Sequence, residues 1–312
     1  MSEKNDFEQA IALLVKGRKQ EAARELWTLY TKVASNGFRL QIIDGLVNAL
    51  DPFKDLDRLM TAVNEGTALA EQMNKPDIQA YLMAKKASLH MNEISILQYH
   101  QQNLRLHPAW IGFATEAERT EYRAITEKIN EIEQSANTLL SRAMQMAKEA
   151  GNKRIEAYVW VSLGEVNVGR YMHFKMQAMI GSIGKAKWWH RLSLLRRYGL
   201  ENYLFYNLRQ IKELRNYIAQ FTSSLLRAAS LFKEINDSGE AYTLYNLSNH
   251  LRTVFKFREA SRYIKRAEAV ARNYNEELLL KNIEEMKKSI KARNKDVPNY
   301  LEGETREEIR IN

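Results

Sequence analysis

The chain has 312 residues, 45% of them apolar, with 13 glycines, 4 prolines and a formal net charge of +9. Its length suffices for a sizeable core, and its few turn-forming residues exclude a many-stranded sheet in favour of helix. Having no cysteine, it forms no disulfide, uses no thiolate and holds no cysteine-ligated zinc.

Apolar spacing predicts helices over 6–16, 19–34, 38–50, 54–73, 78–92, 94–104, 116–149, 154–173, 176–195, 199–235, 239–253, 257–272 and 275–293. Asn36-Gly37 and Asp51-Pro52 are turn signals. Thr115 and Glu118 form a capping-box pattern at the start of the 116–149 helix, after an interruption around His107-Pro108-Ala109-Trp110. No run approaches the roughly 18–20 apolar residues of a membrane span. The start Met1-Ser2-Glu3-Lys4-Asn5-Asp6 places acidic residues where a signal peptide needs a basic region, so the expected location is cytoplasmic.

Three helices open on an Ala-Tyr pair: Ala80-Tyr81, Ala157-Tyr158 and Ala241-Tyr242. Each follows a polar turn: Met73-Asn74-Lys75-Pro76-Asp77, Ala150-Gly151-Asn152-Lys153 and Asn236-Asp237-Ser238-Gly239. Helix, tight turn, helix, recurring along one chain, predicts an α-solenoid whose units bury their apolar faces against their neighbours. The expectation is one array over 1–295 and a flexible acidic tail over 296–312, where Glu302, Glu304, Glu307 and Glu308 face Arg306 and Arg310 in the count of charges.

Trp160-Val161-Ser162-Leu163-Gly164 resembles the WxxLG opening of the tetratricopeptide repeat (TPR) family. The unit after Ala241 resembles that family over both helices, with Leu244, Leu247, Ser248 and Leu251 at the packing positions of the first and Phe257, Ala260, Ile264 and Ala267 at those of the second. Gly17, Ala22 and Leu26 are similar to a second TPR helix. The Ala-Tyr pairs lie more than twice the usual ~34-residue repeat apart, and the copy at Tyr81 carries Lys86 at a packing position. The resemblance implies an all-α fold: an irregular TPR-like α-solenoid of antiparallel helix pairs, with elongated helices at 116–149 and 199–235.

On a TPR-like first helix the groove-facing residues form a stripe separate from the packing stripe. In the third unit these are Tyr242, Tyr245, Asn246, Asn249 and Arg252, and in the second Tyr158 leads the corresponding set. Amides pair with a peptide backbone, Arg252 with a carboxylate, and rings cover apolar side chains. The resemblance adds that TPR adaptors use an Asn at the position of Asn246 or Asn249.

Between Glu165 and Glu201 there is no acidic residue, while Arg170, Lys175, Lys185, Lys187, Arg191, Arg196 and Arg197 accumulate beside Trp188 and Trp189. Such a basic, aromatic stretch suits an acidic protein or peptide, then nucleic acid, then an anionic membrane surface. Set against these is a cationic helix surface whose tryptophans pack in the core.

Nothing proposes catalysis. The six histidines are scattered without metal-ligand spacing, and Gly181-Ser182-Ile183-Gly184-Lys185 fails as a phosphate loop because Met179 and Ala186 stand at required positions. The expected function is a non-catalytic helical-repeat adaptor, without cofactor or metal, that binds a protein or peptide in a concave groove. The alternative is a nucleic-acid-binding helical protein that uses 185–198.

Overall fold

The computed structural model describes residues 3–105, 115–185, 212–254 and 256–292. These form eleven α-helices: α1 (Glu3–Val15), α2 (Lys19–Lys32), α3 (Asn36–Ala49), α4 (Leu56–Gln72), α5 (Pro76–Arg105), α6 (Glu116–Glu149), α7 (Lys153–Lys185), α8 (Lys212–Glu234), α9 (Gly239–Thr253), α10 (Phe257–Asn273) and α11 (Glu277–Lys291). Every helix packs against the next in sequence, and α1 also meets α3, α5 meets α7, and α9 meets α11. No strand occurs among the described residues.

The helix ends follow from local chemistry. Pro76 opens α5, where its missing N–H costs no helical hydrogen bond. Thr115 Oγ1 accepts the Glu118 N–H at 3.2 Å while Glu118 Oε2 accepts the Thr115 N–H at 2.9 Å, so the predicted capping box forms.

After α4, α6, α8 and α10 the same device recurs. Asn74, Gly151, Asn236 and Asn275 adopt φ of 52°, 64°, 51° and 55°, the left-handed region open to Gly and Asn. In three of these turns the next N–H closes on the carbonyl five residues back, Lys75 on Ala70, Asp237 on Phe232 and Glu276 on Ala271, which satisfies an otherwise orphaned helix-end carbonyl.

Two predicted boundaries are absent. Helices expected at 78–92 and 94–104 are the single α5, and the helix expected to stop at 173 continues to Lys185. Neither Asn92-Glu93 nor Phe174-Lys175 contains a helix breaker, and α5 packs on α4, α6 and α7, so apolar residues surround it and no single phase marks its length.

The buried residues form clusters along the chain. Leu26, Ile42, Ile43, Leu46 and Leu59 fill the N-terminal part, Met83, Ile129, Leu140 and Val166 the middle, and Phe221, Leu225, Leu244, Leu247 and Ile264 the C-terminal part. Ala80, Ala157 and Ala241 are all fully buried. A Cβ on Gly164 would lie 2.8 Å from Leu225 Cγ, so this glycine sets the approach of α7 to α8. At the far end, Leu278 of α11 reaches the α1–α2 turn, its methyl 3.5 Å from where a Cβ on Gly17 would stand.

Candidate functional site

A cleft of about 360 Å³ opens between α5, α7 and α9, and the α3–α4 segment closes one side with Val47, Pro52, Phe53 and Leu59. Clefts of roughly 300–1,000 Å³ are the size range of ligand sites. From α5 come Lys85, Ser88, Asn92 and Ser95, spaced three or four residues apart so that they share one helix face. Glu165, Val168, Gly169 and Met172 come from α7, and Asn246, Asn249 and His250 from α9. Leu89, Met91, Val168 and Met172 make the lining largely apolar, with polar groups set around it.

The three helices contribute in one register. Ser88 stands to Tyr81 as Glu165 stands to Tyr158 and Asn249 to Tyr242, and all three residues line the cleft. Lys85 and Asn246 likewise share an offset, whereas their counterpart Ser162 is buried, with no hydrogen-bond partner for its hydroxyl among the described residues.

The polar groups have defined states. Asn249 Oδ1 accepts from the Arg252 guanidinium at 3.2 Å. A guanidinium only donates, so the amide oxygen faces it and the amide nitrogen is left for the cleft. Arg252 is 9% exposed and also donates to Ser289 Oγ of α11 at 2.7 Å, which anchors this arrangement to the helix after next. Ser95 donates its hydroxyl proton to the Met91 carbonyl at 2.8 Å, leaving its oxygen as an acceptor. The Lys85 ammonium lies 5.8 Å from the centre of the Tyr81 ring. His250 is buried against Phe221, ring centres 6.0 Å apart, and burial lowers its pKa to about 4, so it is neutral at pH 7.

The expected groove residues divide. Asn246 and Asn249 line the cleft; Arg252 stands behind Asn249. Tyr245 is half-buried against the C-terminal core, and burial raises its phenol pKa. Tyr242 is exposed and donates to Glu276 Oε2 at 2.8 Å, and partial burial with that carboxylate pushes its pKa up to about 12. Tyr158 makes edge contacts with Tyr81 (5.4 Å) and Phe232 (5.2 Å), away from the cleft lining; burial raises its pKa.

Of the expected basic patch, Arg170 braces α7 to α6. Its Nε donates to Glu133 at 2.9 Å, and its terminal nitrogens donate to Asn167 and Asn137. Lys175 is half-buried on α7. The Lys185 side chain, together with Lys187, Trp188, Trp189, Arg191, Arg196, Arg197 and the tail over 296–312, lies outside the described residues.

Lys85, Ser88, Asn92, Ser95 and Phe53 line the cleft outside the residues the sequence pattern points to. Carrying the offset from Tyr242 to Asn249 back to Tyr81 finds Ser88; nothing in the sequence brings Phe53 to the same place. Among the described residues there is no cluster of three or more metal-ligating side chains, and no helix is long and apolar enough to cross a membrane. No protein-family model matches the chain, and no curated protein is similar to it.

Proposed function

We propose that this protein is a non-catalytic adaptor, a TPR-like α-solenoid that binds an extended peptide or protein segment in the cleft between α5, α7 and α9. The observation that carries the reading is the shared register of Ser88, Glu165 and Asn249 on three separate helices lining one cleft. Successive units offering equivalent side chains suit a ligand that is itself a repeating backbone. Asn249 supplies donors for peptide carbonyls, Ser95 an acceptor for a peptide N–H, and Met91, Val168 and Met172 an adaptable apolar floor.

The test is panning of a phage-displayed random peptide library on the full chain and on an Asn246→Ala, Asn249→Ala variant. Peptides that bind the first and lose the second support the reading. A library that yields none, or peptides indifferent to the two substitutions, overturns it.

A further inference from the structure

Glu165 is half-buried within the cleft and has no hydrogen bond or ion pair among the described residues. Its own helix offers no partner, because the residues one turn away are Val161, Ser162, Val168 and Gly169. The facing residues of α9 are neutral: Asn246, Asn249 and His250, whose lowered pKa keeps it uncharged at pH 7. Among the described residues the one cation lining the cleft is Lys85, which lies over the Tyr81 ring and makes no ion pair with Glu165. A half-buried carboxylate facing neutral groups is open to an incoming cation, whose attraction is stronger at the rim of an apolar cleft than in bulk water.

We propose that the occupant of the cleft is a basic peptide that sets an arginine or lysine side chain against Glu165, a proposal that rests on the peptide-cleft reading above. The cation's aliphatic stem lies on Met172 and Val168, and its head meets the carboxylate from the open side. Asn249, its oxygen held by Arg252, donates to a backbone carbonyl of the same peptide. The chain's net charge of +9 gives no guide to this preference, since among the described residues the charged groups of the cleft lining are one lysine and one glutamate.

The experiment takes the peptides recovered on the full chain that depend on Asn246 and Asn249. The strongest is titrated by fluorescence anisotropy against wild type and Glu165→Gln, in its native form and with the basic residue replaced by citrulline or norleucine. Enrichment of Arg or Lys at one position is expected, with about a tenfold loss of affinity on neutralising either partner and little further loss on neutralising both. Thermal unfolding of Glu165→Gln should match wild type, since the carboxylate has no partner to lose. Asn-dependent peptides without a basic residue, or binding unchanged by Glu165→Gln, overturn this inference and leave the adaptor reading standing. A library with no Asn-dependent peptide overturns both.

Discussion

Replacing Gly164 with alanine tests the closest approach between α7 and α8. A Cβ there meets Leu225 Cγ at 2.8 Å and Cδ2 at 2.9 Å, and Leu225 is fully buried, so the contact falls on a branch carbon with little room to retreat. Overpacking of this kind costs about 1–3 kcal/mol, against a gain of about 1 kcal/mol from replacing glycine inside a helix. The expected net loss is about 1 kcal/mol, read by urea unfolding with far-UV circular dichroism and localised by hydrogen exchange in α7. Gly169→Ala on the same helix is the control, with the same helical gain. Its Cβ meets Met91 at 3.0–3.1 Å, a smaller overlap, so its stability should fall within about 0.5 kcal/mol of wild type. Leu225→Ala alone should cost about 2–5 kcal/mol, and adding Gly164→Ala to it should cost nothing more, because the new methyl enters the space vacated. Gly164→Ala as stable as wild type, or more damaging on the Leu225→Ala background, would refute the close-approach argument.

Burial lowers the His250 pKa from 6.5 to about 4, so the unfolded chain takes up its proton first as pH falls. The resulting stability is present above pH 6.5 and lost between 6.5 and about 4, amounting to about 3 kcal/mol. His90 and His173 shift in the same direction, so the measurement is the difference in pH slope between wild type and His250→Gln, which should be flatter. Ser289→Ala removes one acceptor from the buried Arg252 guanidinium and should lower stability by about 1–3 kcal/mol, whereas Asn246→Ala should change it by under about 0.5 kcal/mol; equal effects in chemical denaturation would contradict the assigned roles. Because the chain has no cysteine, Lys16→Cys with Leu278→Cys should be joined by a short bismaleimide while either single variant is not. Absence of an intramolecular product would show that the first turn and last helix do not meet in solution.

What the sequence made legible is what a local rule decides. Asn74, Gly151 and Asn236 sit in polar turns readable from composition, and each takes the left-handed conformation. The packing stripe after Ala241 is equally plain: Leu244, Leu247, Ser248 and Leu251, three or four residues apart on one face of α9, are all fully buried. A helix with partners on several sides carries no single phase, and the two helices expected over 78–104 are the one α5. The offset Tyr158 shares with Tyr242 predicts a groove-facing ring, yet that ring lies between Tyr81 and Phe232. A shared register places residues on equivalent faces; which of them reach open space depends on the bulk of the neighbouring helix, information that belongs to pairs of segments.

The same dependence on pairs governs the charge of the cleft. Read as a sum, the chain is strongly basic and favours an acidic partner at long range. Read as contacts, the described cations near the cleft are committed: Arg170 to Glu133 and two asparagines, Arg252 to Asn249 and Ser289, Lys85 over Tyr81. Each holds one helix to another or covers a ring, and of the three only Lys85 lines the cleft. Long-range steering falls off over about 10 Å of ordinary saline, whereas selection of a bound segment rests on groups within hydrogen-bond reach. At that range the charged groups of the described lining are Lys85, over the Tyr81 ring, and Glu165, without an ion pair, so the proposed preference for a cation rests on where that carboxylate sits and not on the total.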